Sequence, residues 1–456
     1  MSSSRSINRR LAQWISTVTP DVIPPDVLAE TKRRVADVIG LMFAGSTTPF
    51  GQSMYAGLAQ DRPGPCTVVG RSARTTPENA ALINGACAHV LEFDDTHLET
   101  AIHVSTPVVA AALATAETLK ASGKDLLTAV AAANELSCRL GLISPGAFHS
   151  AGYHPTAIFG AFSSAYATAR LMGLQQEIIK NATGIVASQS AGLMASWVDG
   201  TEAKSTHGGW SAHCGVMAVK MAAARVSGPD LAIEGPYGIF RTHVKDPAFP
   251  LNFDRATEEL GQAWESRNIS YKPYPAGHFV HAFVDALLHV VRENGLQHTD
   301  IESIVCPTAP HMVQMICEPV EQKLSPASSW HCRVSLQWSL AEAAVLGRLD
   351  RYAYDLTRAE VPLIRDLARR VRHTVDARLT DRSVWQGHVI VTTKDGRTFD
   401  FTEERNRGSR ENPLSESDIR DKFLSNVEGS LTGRAAEELY ARILEIDRCA
   451  SVAELF

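Results

Sequence analysis

The feature that most constrains the fold is a series of alanine-rich segments across the first ~260 residues, in which apolar residues recur every three or four positions. This spacing predicts α-helices, most clearly in TPVVAAALATAETLKASG, DLLTAVAAANELSCRLG, TAIFGAFSSAYATARLMG and IIKNATGIVASQSAGLMA. Because they are apolar on most faces and rich in small residues, we expect them to be buried and closely packed. Pro107 should lie near the start of the first helix and Gly123 just past its end, and Gly141 should end the second.

A change of texture near Trp264 predicts a second region. The proline-rich stretch ISYKPYPAGHF marks the boundary, and IESIVCPTA predicts a strand between the helices predicted for HAFVDALLHVVREN and SLQWSLAEAAVLG. VWQGHVIVTTKDGRTFDFTEE alternates apolar and polar residues around Asp395-Gly396, which predicts a β-hairpin. We therefore expect a mainly α protein with an all-helical domain (1–264), a small α+β domain (265–405) and a helical tail (406–456) that packs back onto the first domain.

Composition excludes several classes of protein. The net charge of −6 is modest and no basic stripe is present, which argues against a nucleic-acid partner. No apolar run reaches the ~18 residues that span a bilayer, so we expect no membrane association. The eight cysteines are scattered without a CxxC motif, and reduced thiols in a cytoplasmic protein are the simplest interpretation. Residues 1–19 faintly resemble an organelle transit peptide, but the helical pattern that begins at LAQWI is the stronger interpretation.

Four short segments carry His, Lys or paired carboxylates beside Gly or Pro: EFDDTH with the nearby His103, GYHPT, KSTHGGWSAHCG and KPYPAGHFVH. Each also has a simpler structural interpretation. Asp94 and Asp95 could cap the following helix, and His103 could be a hydrogen-bonded core residue. Lys204 could be a surface lysine and Lys272 a linker residue. Tyr153, His154, His207 and His281 could likewise be structural.

The motifs of common cofactor sites are missing from these segments. His97 and His103 are six residues apart and do not share a helical face, and HEXXH is absent. The glycine-rich GGWSAHCG lacks a phosphate-binding pattern, and no GxSxG occurs. We therefore expect neither a metal nor an organic cofactor. Converging lysines and histidines suit an anionic substrate and can move protons, which predicts proton abstraction α to a carboxylate on a small di- or tricarboxylate.

The ordered motifs resemble the MmgE/PrpD family, whose members include 2-methylcitrate dehydratase, cis-aconitate decarboxylase and iminodisuccinate epimerase. The matching stretches run in family order over nearly the whole chain: ENAALINGACAHVLEFDDTH, HVSTPVVAAALA, GYHPTAIFGAFSSAYATARLMGL, KSTHGGWSAHCGVMAVKMAAARVSGP, EGPYGIF, KPYPAGHFVHAFVDA, VTTKDGRTF and NPLSESDIRDKF. The resemblance implies a smaller α+β domain inserted into a large all-helical domain, an active site in the cleft, a homodimer and no required cofactor.

The resemblance also implies roles for particular residues. Asp94 and Thr96 match the family's acidic loop, and His278 is a looser match to the pocket. Where many members have Cys-Cys-Arg after KPYP, this chain has Ala276, Gly277 and His278, which removes a carboxylate-binding arginine. The residues expected to line the pocket as acids, bases or substrate ligands are His103, His154, Lys204, His207 and Lys272.

Two further departures concern the acidic loop and the GYHPT segment. Glu92 replaces a frequent Asp, a change that we expect to matter less. Tyr153 stands where relatives often have Phe or Trp. In epimerase-like members a tyrosine and a lysine are thought to act on opposite faces of the α-carbon, and Tyr153 and Lys272 could form such a pair.

These residues leave several functions open. The first hypothesis is a dehydratase similar to 2-methylcitrate dehydratase, in which Lys272 or a histidine removes the α-proton. The alternatives are an epimerase that uses Tyr153 and Lys272, a decarboxylase of the cis-aconitate type, and a homologue that binds polycarboxylates without catalysis.

Overall fold

The computed structural model describes residues 6–59 and 62–456. Residues 1–5 of the transit-like segment lie outside the described part of the chain. The remainder of that segment contains the first helix, Ile7–Thr17, whose N-cap Ser6 accepts a hydrogen bond from the backbone N–H of Arg9. The helical interpretation is therefore confirmed for the part that begins at Ile7.

The chain is mainly helical, and its largest sheet lies in the C-terminal part. The α-helices of the described residues are α1 (Ile7–Thr17), α2 (Pro25–Ser46), α3 (Pro49–Leu58), α4 (Pro77–His89), α5 (Ser105–Leu119), α6 (Gly123–Gly141), α7 (Ala147–Ser150), α8 (Pro155–Leu171), α9 (Gln176–Ala187), α10 (Ser196–Asp199), α11 (His207–Ala223), α12 (Ile239–His243), α13 (His281–Glu293), α14 (Pro310–Ile316), α15 (Val320–Leu324), α16 (Ser329–Arg333), α17 (Leu336–Leu346), α18 (Val361–Ala368), α19 (Glu416–Val427) and α20 (Gly433–Leu444). The strands are β1 (Pro63–Thr67), β2 (Arg74–Thr75), β3 (Thr96–His97), β4 (Ile269–Ser270), β5 (Ile301–Thr308), β6 (Val371–Val375), β7 (Gly387–Thr393) and β8 (Thr398–Glu403). Among the helices described, none has both the length and the apolar character needed to cross a bilayer.

Small residues let the buried helices approach closely. Where α11 crosses α4, a Cβ atom on Gly209 would lie 2.0 Å from the carbonyl oxygen of Leu82. A Cβ atom on Gly85 would lie 2.8 Å from the Cα atom of Gly209, so neither glycine accepts a side chain unless the helices separate. The prediction of buried, closely packed helices is confirmed.

Helix α5 ends earlier than predicted. Its last residue is Leu119, and Lys120 closes it in the left-handed conformation with a φ of 52°. Gly123 does not follow this helix but begins α6, where a Cβ atom would lie 1.6 Å from the carbonyl oxygen of Ile446. The close approach of the C-terminal segment, and not a turn, therefore requires this glycine. The predictions for Pro107 and Gly141 are confirmed.

The C-terminal sheet has the strand order β6-β5-β7-β8. Strand β5 is parallel to β6, and β7 runs antiparallel to both β5 and β8. The turn between β7 and β8 contains Asp395 and Gly396, and Gly396 has a φ of 87°, so the predicted hairpin is confirmed. Helix α13 packs on this hairpin and encloses a separate hydrophobic core that includes Phe283 and Val389.

The helical part also contains short strands that the sequence did not predict. Strands β1 and β2 form an antiparallel pair. Strands β3 and β4 form another, with Thr96 opposite Ser270 and His97 opposite Ile269. This second pair matters for the site because it joins the EFDDTH segment to the segment that leads into KPYP.

The C-terminal helices contribute to the core of the N-terminal helices. Phe423 of α19 and Ile443 of α20 are buried in the same hydrophobic cluster as Val35 of α2. Lys422 forms a buried ion pair with Asp37 of α2, at 2.8 Å between Nζ and Oδ1. The end of the chain thus packs beside α2.

Candidate active site

The backbone of the EFDDTH segment is held by three cations from distant parts of the chain. Three consecutive carbonyl oxygens each accept a hydrogen bond from one buried side chain, an arrangement that we call the carbonyl clamp. The pairs are Leu91 with Arg333 (3.0 Å), Glu92 with Lys272 (3.0 Å) and Phe93 with Lys422 (2.9 Å). At the centre of the clamp Glu92 has a φ of 54°, a conformation that costs a non-glycine residue roughly 1–3 kcal/mol and persists only where the surroundings fix it.

The side chain of Glu92 is the hub of the charged groups. Its carboxylate contacts the ammonium group of Lys204 through Oε2 and that of Lys272 through Oε1 (3.1 Å), and Oε1 lies 3.3 Å from Nε2 of His103. Burial alone would raise the pKa of Glu92, but the two lysines and His103 hold it well below its ordinary value. Three predicted site residues converge on this carboxylate. That the change from Asp to Glu92 matters little stays a prediction. Neither lysine is a surface or linker residue, since both are fully buried.

Asp94 connects two histidines. Its Oδ2 atom lies 2.8 Å from Nδ1 of His89 and accepts a hydrogen bond from Thr106, and its Oδ1 atom lies 3.0 Å from Nδ1 of His103. Burial would raise the pKa of Asp94, but His103 and His89 hold it well below its ordinary value. Burial lowers the pKa of His89 to about 4, so His89 is neutral near pH 7 and donates its Nδ1–H to Asp94.

The same three residues are the set that could hold a cation. Ligand atoms of His89, Asp94 and His103 lie within 4.8 Å of one another. The two hydrogen bonds to Asp94 already account for this closeness, because both imidazole Nδ1 atoms point at the carboxylate. We therefore describe the group as a hydrogen-bonded triad.

Asp95 makes different contacts from Asp94. Its Oδ1 atom accepts a hydrogen bond from the backbone N–H of Ser105 (3.0 Å), which is the first residue of α5. Arg34 lies 3.8 Å from its other oxygen. The capping interpretation thus fits Asp95, whereas Asp94 belongs to the triad.

His154 and His207 form a neutral pair beside the triad. Their Nδ1 atoms are 3.1 Å apart, so one ring donates and the other accepts. Burial lowers the pKa of His154 well below its ordinary value and that of His207 to about 3. The ring of His154 packs 5.7 Å from that of His103, between centroids.

These groups surround a small cavity with two unlike faces. Its volume is about 40 Å³. The N-terminal helical part contributes a mostly polar face: Glu92, Thr96, Ala101, His103, His149, His154 and Trp197. The segment beyond residue 264 contributes a mostly apolar face: Gly277, His278, Phe279, Met315, Ile316, Val334 and Trp385. A second cavity of about 350 Å³ shares Ala101, His149, Phe279, Met315 and Trp385 with the first, so it forms a vestibule to it.

The predicted site residues fall into three groups. Thr96, His103, His154 and His278 line the cavity. The residues that contact this lining from behind are Asp94, Lys204, His207 and Lys272. Tyr153 lies apart, since it is not among the lining residues described and its ring packs 4.7 Å from that of His243.

Several contributors were not predicted, among them the cavity-lining His149 and the apolar side chains of the second face. Glu92 was expected to matter less, and His89 was not singled out within the apolar helix ENAALINGACAHV. Its five-residue separation from Asp94 is the only local signal. Asn406, which donates a hydrogen bond to His278, lies in the polar stretch EERNRGS, where nothing local marks it.

Comparison with known proteins identifies the family of this chain. Two family models match in succession: the MmgE/PrpD N-terminal domain over residues 9–252 and the MmgE/PrpD C-terminal domain over residues 274–447. The chain belongs to the MmgE/PrpD family.

Its relatives include proteins named for one reaction. A cis-aconitate decarboxylase of Aspergillus terreus (strain NIH 2624 / FGSC A1156) is 26% identical over an alignment that covers 98% of this chain and 95% of that protein. The cis-aconitate decarboxylase of Homo sapiens is 27% identical, with 95% of this chain and 90% of that protein covered. A cis-aconitate decarboxylase-like protein of Aspergillus oryzae is 28% identical over 62% of this chain and 61% of its own length.

Proposed function

We propose that this protein is a cofactor-independent lyase acting on a small di- or tricarboxylate, and that it decarboxylates an unsaturated tricarboxylate similar to cis-aconitate. The observation that carries this proposal is the two-faced cavity: ionised and imidazole groups on one side, apolar side chains on the other. The named reaction of the fungal and human relatives supports the same choice over the dehydratase hypothesis. The proposal also takes the sheet-containing region to be the inserted domain.

The polar face suits the carboxylates that stay on the product. Glu92 carries one negative charge against the two positive charges of Lys204 and Lys272, so this group has one positive charge in excess. Thr96 has a buried hydroxyl without a protein partner among the described residues, and it lines the cavity. Asp94 adds a second negative charge behind His103, so the polar face as a whole has no positive excess from its lysines. A substrate carboxylate would meet the Thr96 hydroxyl as a donor and the lysine charges beyond Glu92.

The apolar face suits the carboxylate that leaves. Phe279, Met315 and Ile316 offer no hydrogen bond to an anion, so a carboxylate held against them loses solvation. Carbon dioxide is neutral and apolar, so it does not lose solvation free energy in this way. The C–C bond to the carboxylate breaks, its electron pair delocalises into the conjugated system, and a proton must then reach carbon.

His103 is the group best placed to deliver this proton. It lines the cavity, and its two ring nitrogens lie near the carboxylates of Asp94 (3.0 Å) and Glu92 (3.3 Å). Once protonated, this ring can give its proton to the carbanion and later recover one from solvent. Lys272 stays behind Glu92 and acts as a counter-charge in this scheme.

A substrate can enter only if the two faces separate. One water molecule needs about 10–15 Å³ of such a cavity, so a cavity of about 40 Å³ has room for only about three waters and is too small for a tricarboxylate. If the two faces separate at the residues shared by both cavities, a path opens from the vestibule to the smaller cavity.

The other hypotheses receive unequal support. Dehydration of a hydroxy acid would use the same polar face, with the neutral His154–His207 pair as a proton donor to the leaving hydroxyl. The Tyr153–Lys272 epimerase needs both groups at one carbon, but Tyr153 packs on His243 and Lys272 lies behind Glu92. If Tyr153→Phe leaves solvent exchange into substrate intact, the two-base hypothesis is wrong.

The test is proton and carbon NMR in D₂O with cis-aconitate, 2-methylcitrate, citrate and a racemisable dicarboxylate. We expect release of labelled CO₂ from cis-aconitate and one deuterium in the product. Loss of water from 2-methylcitrate without CO₂ would instead establish a dehydratase. Solvent exchange without either product would indicate an epimerase, and no reaction across the panel would contradict the proposal.

The variant His103→Gln provides the mechanistic control. It should abolish product formation while it retains binding of cis-aconitate, measured by calorimetry, because Lys204, Lys272 and the Thr96 hydroxyl remain in place. Unchanged turnover in this variant would exclude His103 as the proton donor.

A further inference from the structure

His278 has one satisfied and one unsatisfied ring nitrogen. Its Nε2 atom lies 2.9 Å from the side-chain nitrogen Nδ2 of Asn406. Its Nδ1 atom is buried and has no hydrogen-bond partner among the described residues. Both side chains are buried, and His278 lines the cavity.

The surrounding contacts fix the orientation of the Asn406 amide. Nδ2 also lies 3.0 Å from the hydroxyl oxygen of Ser270 and 3.4 Å from the carbonyl oxygen of Arg407. The single hydrogen of the Ser270 hydroxyl can reach the carbonyl of Tyr271 (3.2 Å) or Nε2 of His278 (3.4 Å), and in both cases the Ser270 oxygen accepts from Asn406. With the amide reversed, its oxygen would face the Arg407 carbonyl, and two acceptors would meet without a hydrogen between them.

This orientation determines where the imidazole carries its hydrogen. An amide nitrogen only donates, so Nε2 of His278 must accept and cannot be protonated. Burial, together with the nearby His281, Lys272 and His103, lowers the pKa of His278 well below its ordinary value. The ring is therefore neutral near pH 7, and its single hydrogen lies on the nitrogen without a partner.

We propose that Asn406 is a positioning residue that fixes His278 as the neutral tautomer protonated at Nδ1, so that this N–H donates a hydrogen bond to a substrate oxygen in the cavity. The donor role rests on the proposed function, in which negative charge develops on a carboxylate oxygen when CO₂ leaves. A neutral donor held in one orientation stabilises such charge without needing to reorganise. His278 lies on the otherwise apolar face, and its N–H would serve an oxygen of a carboxylate that stays on the product, not of the carboxylate that leaves.

The tautomer is tested in the protein without substrate. Long-range ¹H–¹⁵N spectra of histidine-labelled protein at pH 7, with His278→Gln to assign the signal, distinguish a protonated Nδ1 from a protonated Nε2. We expect Nδ1–H in the wild type. We expect Nε2–H in Asn406→Asp, because a carboxylate only accepts. An Nε2–H ring or an imidazolium in the wild type would overturn the proposal, whatever substrate the cavity takes.

Kinetics with cis-aconitate test the donor role. Asn406→Asp should lower kcat by about 100-fold or more, with a much smaller change in KM, because the donor has moved to the wrong nitrogen. Asn412→Asp introduces the same charge six residues away, where the side chain donates to the Arg405 carbonyl, and should retain wild-type kcat. An unchanged kcat in Asn406→Asp would overturn the donor role. Failure of the wild type to act on cis-aconitate would contradict only the proposed function, since the spectra still decide the tautomer.

Discussion

Different interactions stabilise each of the two faces of the cavity. On the helical face, Glu92, Asp94 and His103 are buried, and each contacts at least two other polar groups of the site. On the opposite face, Phe279 and Trp385 pack ring against ring with centroids 4.2 Å apart. This difference predicts which substitutions each face tolerates. Removing one charge from the helical face leaves its partners uncompensated, whereas the apolar face tolerates changes of size but not of charge.

The largest effect should come from the hub of the helical face. Glu92→Gln leaves two buried ammonium groups without their counter-ion, and it should lower the free energy of unfolding by about 3–5 kcal/mol and abolish turnover. Urea titration measures the first effect and CO₂ release the second. Glu445→Gln, which breaks an exposed pair with Arg448, should change stability by less than about 0.5 kcal/mol. Equal losses of stability in the two variants would show that Glu92 contributes no more than an exposed ion pair.

The apolar face should respond to charge and not to shape. Met315→Lys places an ammonium group beside the departing carboxylate and stabilises it before CO₂ leaves. We expect kcat to fall about 10–100-fold, which corresponds to roughly 1.4–2.7 kcal/mol in the barrier, with KM unchanged or lower. Met315→Leu keeps the wall apolar and should remain within about threefold of wild type. If Met315→Lys were as active as Met315→Leu, desolvation could not be part of the mechanism.

Arg333 belongs to the sheet-containing region but holds the loop of the opposite face. It donates from Nη1 to the carbonyls of Leu91 (3.0 Å) and Pro275 (2.7 Å), and its guanidinium lies over the ring of Tyr354. Arg333→Lys keeps the charge but loses the planar fork, and it should reduce stability by about 1–2 kcal/mol and kcat by about tenfold. Thermal unfolding and initial rates measure the two quantities. The exposed Arg369→Lys should change neither; an unchanged kcat in Arg333→Lys would show that the loop keeps its geometry without the clamp.

The last effect appears only below neutral pH. Burial lowers the pKa of His97 to about 3, whereas the unfolded chain titrates near the ordinary value of 6.5. Between these values the unfolded state binds a proton that the native state does not, so stability is complete above about pH 6.5 and is lost as pH falls toward 3. His97→Asn should therefore reduce the slope of unfolding free energy against pH, between pH 6 and 4, by up to about 1.4 kcal/mol per pH unit. The half-exposed His298→Asn serves as the reference, and the same slope in both variants would contradict the assignment.

The helical face was easier to predict than the apolar one for a physical reason. Ionisable residues such as Lys204 and His103 stand out against apolar helices, because burying them is costly unless they are paired. Phe279, Met315 and Trp385 do not stand out, since apolar residues are expected in every core. The same reason applies to secondary structure. The hairpin depends on the local residues Asp395 and Gly396, whereas the position of Gly123 depends on Ile446, more than 300 residues away.

The roles within the helical face could not be derived from local sequence. Asp94 and Asp95 are neighbours, but one joins two histidines and the other caps α5. The different roles of the two aspartates depend on the left-handed turn at Glu92 and on partners that belong to α2, α4 and α5. Asn406 lies 128 residues from His278, so no spacing rule could have connected them.

The carbonyl clamp also bears on how the site comes into being during synthesis. Phe93 is tied to Lys422 across 329 positions of sequence, and Leu91 to Arg333 across 242. A nascent chain emerges from the ribosome N-terminus first, so the helical core can collapse long before either cation is available. The complete clamp therefore forms only after α19 has been translated and has docked. The backbone around Glu92 thus gains its last hydrogen bond after most of the chain has been made.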